Sequence, residues 1–196
     1  MFLLLRPRIE IQTERLTLRL PRMGDYPAWE RVRREGAEFL LPWEPVRAHG
    51  YTGRKAFRNR VYWSSRSARE DRALPLFVFE TGTGAFLGAV TLDNIRRGPA
   101  MMANLGYWIG PDHARQGYMS EAVRGLVDYA FAQMSLSRIE AACLPENAAS
   151  RGLLEKCRFK YEGVAQAYLQ IAGRWQTHVL YARLRHDRRG RTRQLG

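Results

Sequence analysis

Cysteine is scarce in this sequence, where Cys143 and Cys157 are the two thiols among 196 residues. Neither stands at metal-ligand spacing, and two thiols make no disulfide framework. Both fall in apolar-periodic segments, which predicts buried core residues. The sequence therefore gives no reason to expect a metal site or disulfide scaffold, and it is consistent with a reducing, cytoplasmic location.

Long hydrophobic runs are also missing. No stretch approaches the roughly 18 apolar residues of a membrane-spanning helix. The apolar residues 1–5 are too few for the core of a signal peptide. We therefore expect a cytoplasmic protein with no membrane partner. No internal repeat or low-complexity linker divides the chain, and its length suits one domain with a sizeable core.

Acidic residues are outnumbered by basic ones, and the formal net charge is +13. Such an excess suggests an acidic partner, which can be nucleic acid, an anionic cofactor or an acidic protein surface. Part of it lies in residues 186–196, which we predict to be a basic, disordered tail. Two interpretations of this tail remain open: a solvated segment, or a contact with the ribosome or pre-ribosomal RNA. Residues 1–10 are expected to be an N-terminal extension and 11–185 the globular domain.

Apolar periodicities predict elements in the order β α α β β β α β α β β. This order indicates one α+β domain, of α/β character, with a central mixed and twisted sheet of about seven strands flanked by about four helices. Asp25 is expected to cap the first helix with its side chain, and Asn147 is expected to cap a short helix that runs to Cys157.

The most informative stretch is 104–134. It reads as a short apolar strand, a basic turn that contains Gly117, and a helix with one apolar face. A glycine-bearing turn that opens a helix brings unpaired backbone N–H groups and the positive end of the helix dipole to one point. We therefore predict that a pyrophosphate binds between Arg115 and Met119.

A second segment, Asn147 to Phe159, has the pattern Asn-x-x-Ser followed by Glu-Lys and Phe. Together the turn and this segment resemble the GCN5-related N-acetyltransferases, in which such a turn holds the pyrophosphate of coenzyme A. Three positions depart from the pattern. Ala114 replaces the usual Gln or Arg, Met119 stands at the last small-residue position, and Arg158 replaces the usual glycine.

The loop Phe39 to Arg47, which contains Pro-Trp-Glu-Pro, resembles the RimJ/RimL branch of this superfamily, the N-terminal acetyltransferases of ribosomal proteins. Residues 94–98 and 168–179 resemble that branch too, so the similarity covers roughly residues 10–185. It implies acetyl-coenzyme A as cosubstrate. The implied acceptor is the N-terminal amine of a ribosomal protein, with the N-terminal alanine of an S5-like protein as the nearest match.

The resemblance also implies which residues hold the cofactor. A backbone N–H of the strand around Trp108 would stabilise the thioester oxygen, and this strand separates from the next one to admit the pantetheine arm. Gly117 lets the backbone approach the phosphates. The predicted coenzyme A contacts are Tyr107, Trp108, Ile109, Arg115, Gln116, Gly117, Tyr118, Met119, Ser120 and Asn147.

Direct attack of an amine on the thioester needs a neutral nucleophile. Glu44, on a rigid proline-flanked loop, is our candidate for binding or deprotonating the amine, and Asp93 is the second candidate. Ser150 is placed near the sulfur as a proton donor, directly or through water, where many family members carry a tyrosine. The alternatives are a surface glutamate at 44 and a helix serine that bonds backbone at 150.

Four further residues, Trp43, Tyr168, Trp175 and His178, are expected to line the acceptor groove, with core packing as the alternative for each. Monomer and homodimer both remain open. The leading function is therefore protein N-terminal acetylation. Acetylation of a small-molecule amine, and a basic RNA-binding ribosome-assembly factor on the same scaffold, are the competing hypotheses.

Overall fold

The computed structural model describes residues 9–186. The predicted extension and basic tail therefore lie almost entirely outside the described residues. The strands are β1 (Glu10–Gln12), β2 (Leu16–Arg19), β3 (Leu74–Glu80), β4 (Phe86–Arg96), β5 (Met102–Ile109), β6 (Arg138–Cys143), β7 (Lys160–Ile171) and β8 (Arg174–Leu184). The helices are α1 (Tyr26–Glu35), α2 (Ala37–Leu40), α3 (Arg54–Arg69), α4 (Tyr118–Ala132) and α5 (Ala148–Lys156). No helix in this part of the chain is both long and apolar enough to cross a membrane.

One mixed sheet organises the domain, in the strand order β1-β2-β3-β4-β5-β6-β8-β7. The β5–β6 pair is parallel and the other neighbours are antiparallel. The predicted α+β class is confirmed. The sheet has one strand more than we expected because the three-residue β1 is too short to show a period, and the extra helix is the four-residue α2.

Two apolar cores cover the two faces of the sheet. On one face α4 and α5 pack through residues such as Val123, Leu126 and Leu154. On the other face α1 and α3 contribute Trp29 and Phe57. Because successive side chains of a strand point to opposite faces, neighbouring residues of β4 and β5 belong to different cores. We name these the α4/α5 face and the α1/α3 face.

The central strands β5 and β6 separate soon after they meet. Among the described residues their pairing covers Met102↔Arg138, Ala103↔Ile139 and Asn104↔Glu140. Beyond that point β5 stays paired with β4, and β6 stays paired with β8. The space between residues 105–109 and 141–143 is named the strand gap. The predicted separation of this strand from the next is therefore present.

Asp25 does not cap α1 with its side chain, so that prediction was wrong. Its carboxylate instead accepts hydrogen bonds from both Nη atoms of Arg19, at 2.8 and 2.7 Å, and from the N–H of Arg22 at 2.7 Å. The physical reason is twofold. Pro27, near the helix start, has no N–H for a cap to accept, and the guanidinium offers stronger charge-assisted bonds.

The cap of α5 matches the prediction. The Oδ1 atom of Asn147 accepts a hydrogen bond from the N–H of Ser150 at 2.9 Å. At the other end Arg158 has φ +63°, the left-handed conformation that usually selects glycine. Although Arg158 replaces the usual glycine, the turn that ends the helix keeps its left-handed conformation. That conformation is costly in free energy for a residue with a Cβ.

We expect Arg158→Gly to raise the free energy of unfolding by about 1 kcal/mol, because a side chain with a Cβ is strained in the left-handed region. Urea titration measures the change. Arg158→Ala is the matched control, since it removes the same exposed guanidinium but keeps the Cβ. Equal stability of the two variants would contradict this interpretation.

Candidate active site

The turn before α4 has the backbone geometry of an anion cradle. Arg115 and Gly117 are both left-handed, with φ of +63° and +83°, and α4 begins directly after Gly117. The first N–H groups of a helix have no partners within it. A turn that curls through left-handed residues directs such groups toward one point. This is the expected form of a pyrophosphate site.

Side chains around this turn differ in what they can offer a cofactor. Arg115 and Gln116 are exposed, and Gln116 donates to the carbonyl of Asp112 at 2.7 Å. Met119 and Ser120 are buried in the core, so they can reach a phosphate through their backbone N–H groups alone. The hydroxyl of Tyr118 donates to Glu80 at 2.6 Å.

Arg15 is a cation beside this turn that no sequence pattern indicated. Its Nε donates to Glu121 at 2.8 Å, and its Nη1 donates to the carbonyl of Gln116 at 3.3 Å. Its guanidinium lies 4.5 Å from the ring centroid of Tyr118. Spacing could not reveal it, because β2 and α4 meet only through the tertiary fold. Arg15 thus brings a second cation to the turn.

On the α4/α5 face, a hydroxyl pair stands beside the strand gap. The hydroxyl of Tyr107, on β5, lies 2.7 Å from the Oγ of Ser150 on α5. Burial raises the pKa of Tyr107, so this hydroxyl stays protonated and can donate. Cys143, at the end of β6, is buried near the same serine, and burial raises the pKa of its thiol. A tyrosine hydroxyl therefore reaches Ser150 from the neighbouring strand.

On the α1/α3 face, Asp93 of β4 lies opposite Asn104 of β5. Asn104 is the last residue of β5 that pairs with β6 before the gap. Burial raises the pKa of the Asp93 carboxyl. The Oδ1 atom of Asn104 is buried with no hydrogen-bond partner among the described residues. Gly106, two positions along β5, leaves open space where a side chain would stand. Polar groups and free space thus adjoin the gap on this face.

Glu44 lies in an ion-pair network. Its carboxylate accepts from Arg33 Nη2 at 2.5 Å and from Arg47 Nη2 at 2.9 Å. Burial alone would raise the pKa of Glu44, but the bonds from the two arginines outweigh it, so the pKa is lowered. A carboxylate with a lowered pKa is a poor proton acceptor. The backbone oxygen of Glu44 also accepts from Ala172 N at 3.1 Å, which ties this loop to the β7–β8 turn.

The four predicted acceptor residues separate into two groups. Trp43, Tyr168 and Trp175 are exposed by 39%, 40% and 64%, on the loop and the hairpin that the Glu44–Ala172 bond joins. His178 is buried, and its Nδ1 lies 2.9 Å from the Gln176 oxygen, with its ring centroid 5.7 Å from that of Tyr168. The three exposed aromatic residues are therefore available to a substrate, whereas His178 is buried and its ring packs edge-on against that of Tyr168.

Comparison with known proteins identifies the class. The family model for the acetyltransferase (GNAT) domain matches residues 15–160. The chain therefore belongs to the GCN5-related N-acetyltransferase (GNAT) family. It is an N-acetyltransferase whose cosubstrate is acetyl-coenzyme A.

Three relatives are particularly similar. The ribosomal protein uS5-alanine N-acetyltransferase of Escherichia coli (strain K12) is 32% identical over 178 residues, which cover 90% of this chain and 91% of that protein. The ribosomal-protein-S5-alanine acetyltransferase from Vibrio fischeri superposes with a TM-score of 0.84, at 27% identity over 91% of this chain and 98% of that one. RimJ of Mycobacterium smegmatis, solved in complex with CoA-disulfide, gives a TM-score of 0.82 at 31% identity, covering 86% of this chain and 81% of the other.

We expect Gly117→Ala to weaken coenzyme A binding about tenfold, because a Cβ at φ +83° is strained and the turn must reshape to relieve it. Isothermal titration calorimetry with coenzyme A measures the change. Gly82→Ala is the control, since that exposed turn glycine has open space for a Cβ. An unchanged dissociation constant for Gly117→Ala would show that this turn does not hold the cofactor.

Proposed function

We propose that this enzyme transfers the acetyl group of acetyl-coenzyme A to the N-terminal α-amine of a ribosomal protein, with the N-terminal alanine of a uS5-type protein as the first candidate acceptor. The observation that carries the proposal is the strand gap, with a hydroxyl pair at one face and, at the other, a half-buried carboxyl group whose pKa is raised by burial. Similarity to uS5-alanine acetyltransferases over nine-tenths of the chain supports the choice of acceptor.

In this proposal the cofactor enters along α4. Its pyrophosphate binds the backbone N–H groups from Arg115 to Ser120, with Arg115 and Arg15 supplying positive charge. The pantetheine arm lies in the strand gap and pairs with the backbone edge that β5 leaves unused, from Tyr107 to Ile109. Asn147 borders the same gap at the start of α5.

The thioester carbonyl then lies between the two faces. The amine nitrogen attacks this carbon, the C–N bond forms, and a backbone N–H of the 107–109 segment stabilises the developing oxyanion. Collapse of the intermediate breaks the C–S bond. The hydroxyl pair of Ser150 and Tyr107 donates a hydrogen bond to the departing thiolate. A proton from solvent, relayed through the pair, converts the thiolate to the thiol and leaves both hydroxyls protonated.

Asp93, rather than Glu44, is the better candidate for the base. Its raised pKa makes it a more effective proton acceptor, whereas Glu44 is held by two guanidinium groups. Asp93 takes the amine proton, directly or through one water. An α-amine has a pKa of about 7.7–8.0, so about a fifth of it is neutral near pH 7.4. A weak base of this kind is therefore sufficient.

The test is acetyl transfer to peptides. The enzyme is incubated with acetyl-coenzyme A and peptides that begin with the first residues of candidate ribosomal proteins, alanine first, and thiol release and peptide mass are followed. We expect one acetyl group on the α-amine. The matched control carries a blocked N-terminus and a free lysine. Acetylation of that lysine, of a polyamine alone, or of nothing would overturn the proposal.

Asp93→Asn should lower kcat about a hundredfold on the best peptide, because the amine proton loses its acceptor. Its pH profile should change as well. In the wild type kcat falls as pH drops through the raised pKa of Asp93, since a protonated carboxyl accepts no proton, and the variant should lack this limb. Initial rates at saturating substrate measure both effects.

Glu44→Gln serves as the comparison for that experiment. It should keep the acid limb and lower thermal stability, because it removes the counter-ion of the buried Arg33. Loss of the acid limb in Glu44→Gln, with its retention in Asp93→Asn, would return the role of base to Glu44.

A further inference from the structure

Three arginines from separate segments surround one tyrosine ring. The guanidinium carbons of Arg33, Arg47 and Arg60 lie 5.3, 4.9 and 5.2 Å from the ring centroid of Tyr51. Arg33 lies on α1, Arg47 on the loop after α2, and Arg60 on α3. We name these three residues the arginine cluster.

The charges of this cluster do not balance. Among the described residues, Glu44 is the one carboxylate in ion-pair contact with it, shared between Arg33 and Arg47. Arg60 instead donates to the neutral hydroxyl of Tyr51 at 2.7 Å. Burial lowers the pKa of Arg60, and the charges of Arg47 and Arg33 lower it further. Two positive charges are therefore left without a counter-ion.

Some hydrogen-bond donors of the cluster also have no acceptor among the described residues. Arg33 is 95% buried, and both its Nε and its Nη1 are buried without a hydrogen-bond partner in the described structure. Arg47 is more accessible, with 40% of its side chain exposed. Buried donors normally find acceptors, so the cluster has both the charge and the hydrogen-bonding capacity of an anion site. Its accessible side is at Arg47.

The position of the cluster relates it to the acceptor. The guanidinium carbon of Arg33 lies 4.7 Å from the ring centroid of Trp108, which stands on the part of β5 that borders the strand gap. Trp108 and Asp93 point to the same α1/α3 face, from which the acceptor amine would approach. An acceptor chain on this face therefore passes the cluster as it leaves the gap.

We propose that the arginine cluster binds an acidic side chain of the acceptor, so that the enzyme prefers protein N-termini that carry Asp or Glu within their first four residues. This inference rests on the proposed function. An extended peptide covers about 3.3–3.6 Å per residue. Two or three residues beyond the amine therefore reach about 7–10 Å from it. The cluster lies next to Trp108 on the same face, so residues this close to the amine are the ones expected to meet it.

A carboxylate suits this cluster better than a nucleic-acid backbone does. The Tyr51 ring lies among the three guanidinium groups, and Arg33 and Arg60 are largely enclosed, so Arg47 is the member of the cluster that a partner can reach most easily. A guanidinium presents parallel N–H groups that match the two oxygens of a carboxylate. A single acidic side chain beside Arg47 would supply the missing counter-ion.

Peptides that differ at one position test the inference. Three peptides share an N-terminal alanine and differ at the third residue, which is Glu, Gln or Lys. We expect kcat/KM to be about tenfold higher for the Glu peptide than for the Gln peptide, as one charge-assisted pair provides. The Lys peptide should be the poorest of the three.

Variants of the cluster make the test specific. Arg47→Gln should bring the Glu-to-Gln ratio close to one, and Arg47→Glu should favour the Lys peptide. Arg58→Gln is the matched control, because it removes an exposed arginine from α3 outside the cluster and should keep the tenfold ratio. Equal coenzyme A affinity of all variants, measured by calorimetry, shows that they are folded.

The outcomes separate the two proposals. Equal kcat/KM for the three peptides with the wild type would overturn the acidic preference and leave the proposed N-terminal acetylation standing. A preference that persists in Arg47→Gln and also in Arg60→Gln would assign it to another surface and overturn the role of the cluster. Acetylation of none of the peptides would be a failure of the proposed function itself.

Discussion

Separation of two central strands is the constraint on which the rest of this structure depends. β5 and β6 share three residue pairs and then part, so β5 keeps an unpaired backbone edge in the middle of an eight-stranded sheet. Unpaired backbone groups in a buried position are costly unless something bonds them. On our proposal the amide-bearing cofactor arm satisfies them, so that the same distortion that weakens the sheet would create the binding site. The cradle at Gly117 lies in the segment that connects this strand to the next helix, since β5 ends at Ile109 and α4 begins at Tyr118.

The gap also gives the two faces of the sheet different chemistry. Because side chains alternate along a strand, Tyr107 points toward α5 and Trp108 toward α1 and α3, although the two residues are neighbours. On our proposal the leaving sulfur meets the hydroxyl pair on the first face, and the amine meets Asp93 on the second. Proton donor and proton acceptor are therefore kept apart by the sheet itself, and neither can neutralise the other before the reaction.

The sequence pattern predicted those features of the molecule that depend on residues close to one another along the chain. The apolar period of α4, the Asn147 cap and the glycine turn each depend on residues a few positions apart. The Asp25 cap failed because Arg19, six residues earlier at the end of β2, competes for the carboxylate. Likewise, the preference for Asp93 over Glu44 as the base depends on which guanidinium groups surround each carboxylate. The contacts of Arg15, Tyr107 and the arginine cluster also join segments that are far apart along the chain. Periodicity carries no information on such contacts.

Glu44 lies on the loop beside the acceptor face, and its ion pairs with Arg33 and Arg47 help to set the charge of the site. With its carboxylate bound to Arg33 and Arg47, it cannot also hold an ammonium ion strongly, and the cluster around it remains positive. A positive environment disfavours the charged form of a nearby amine and lowers its pKa. The same arginines that would hold an acidic side chain of the acceptor would thus raise the neutral fraction of its α-amine. Recognition of the acceptor and activation of its amine would then draw on one electrostatic feature, and Asp93 would accept the proton that the amine loses when the C–N bond forms.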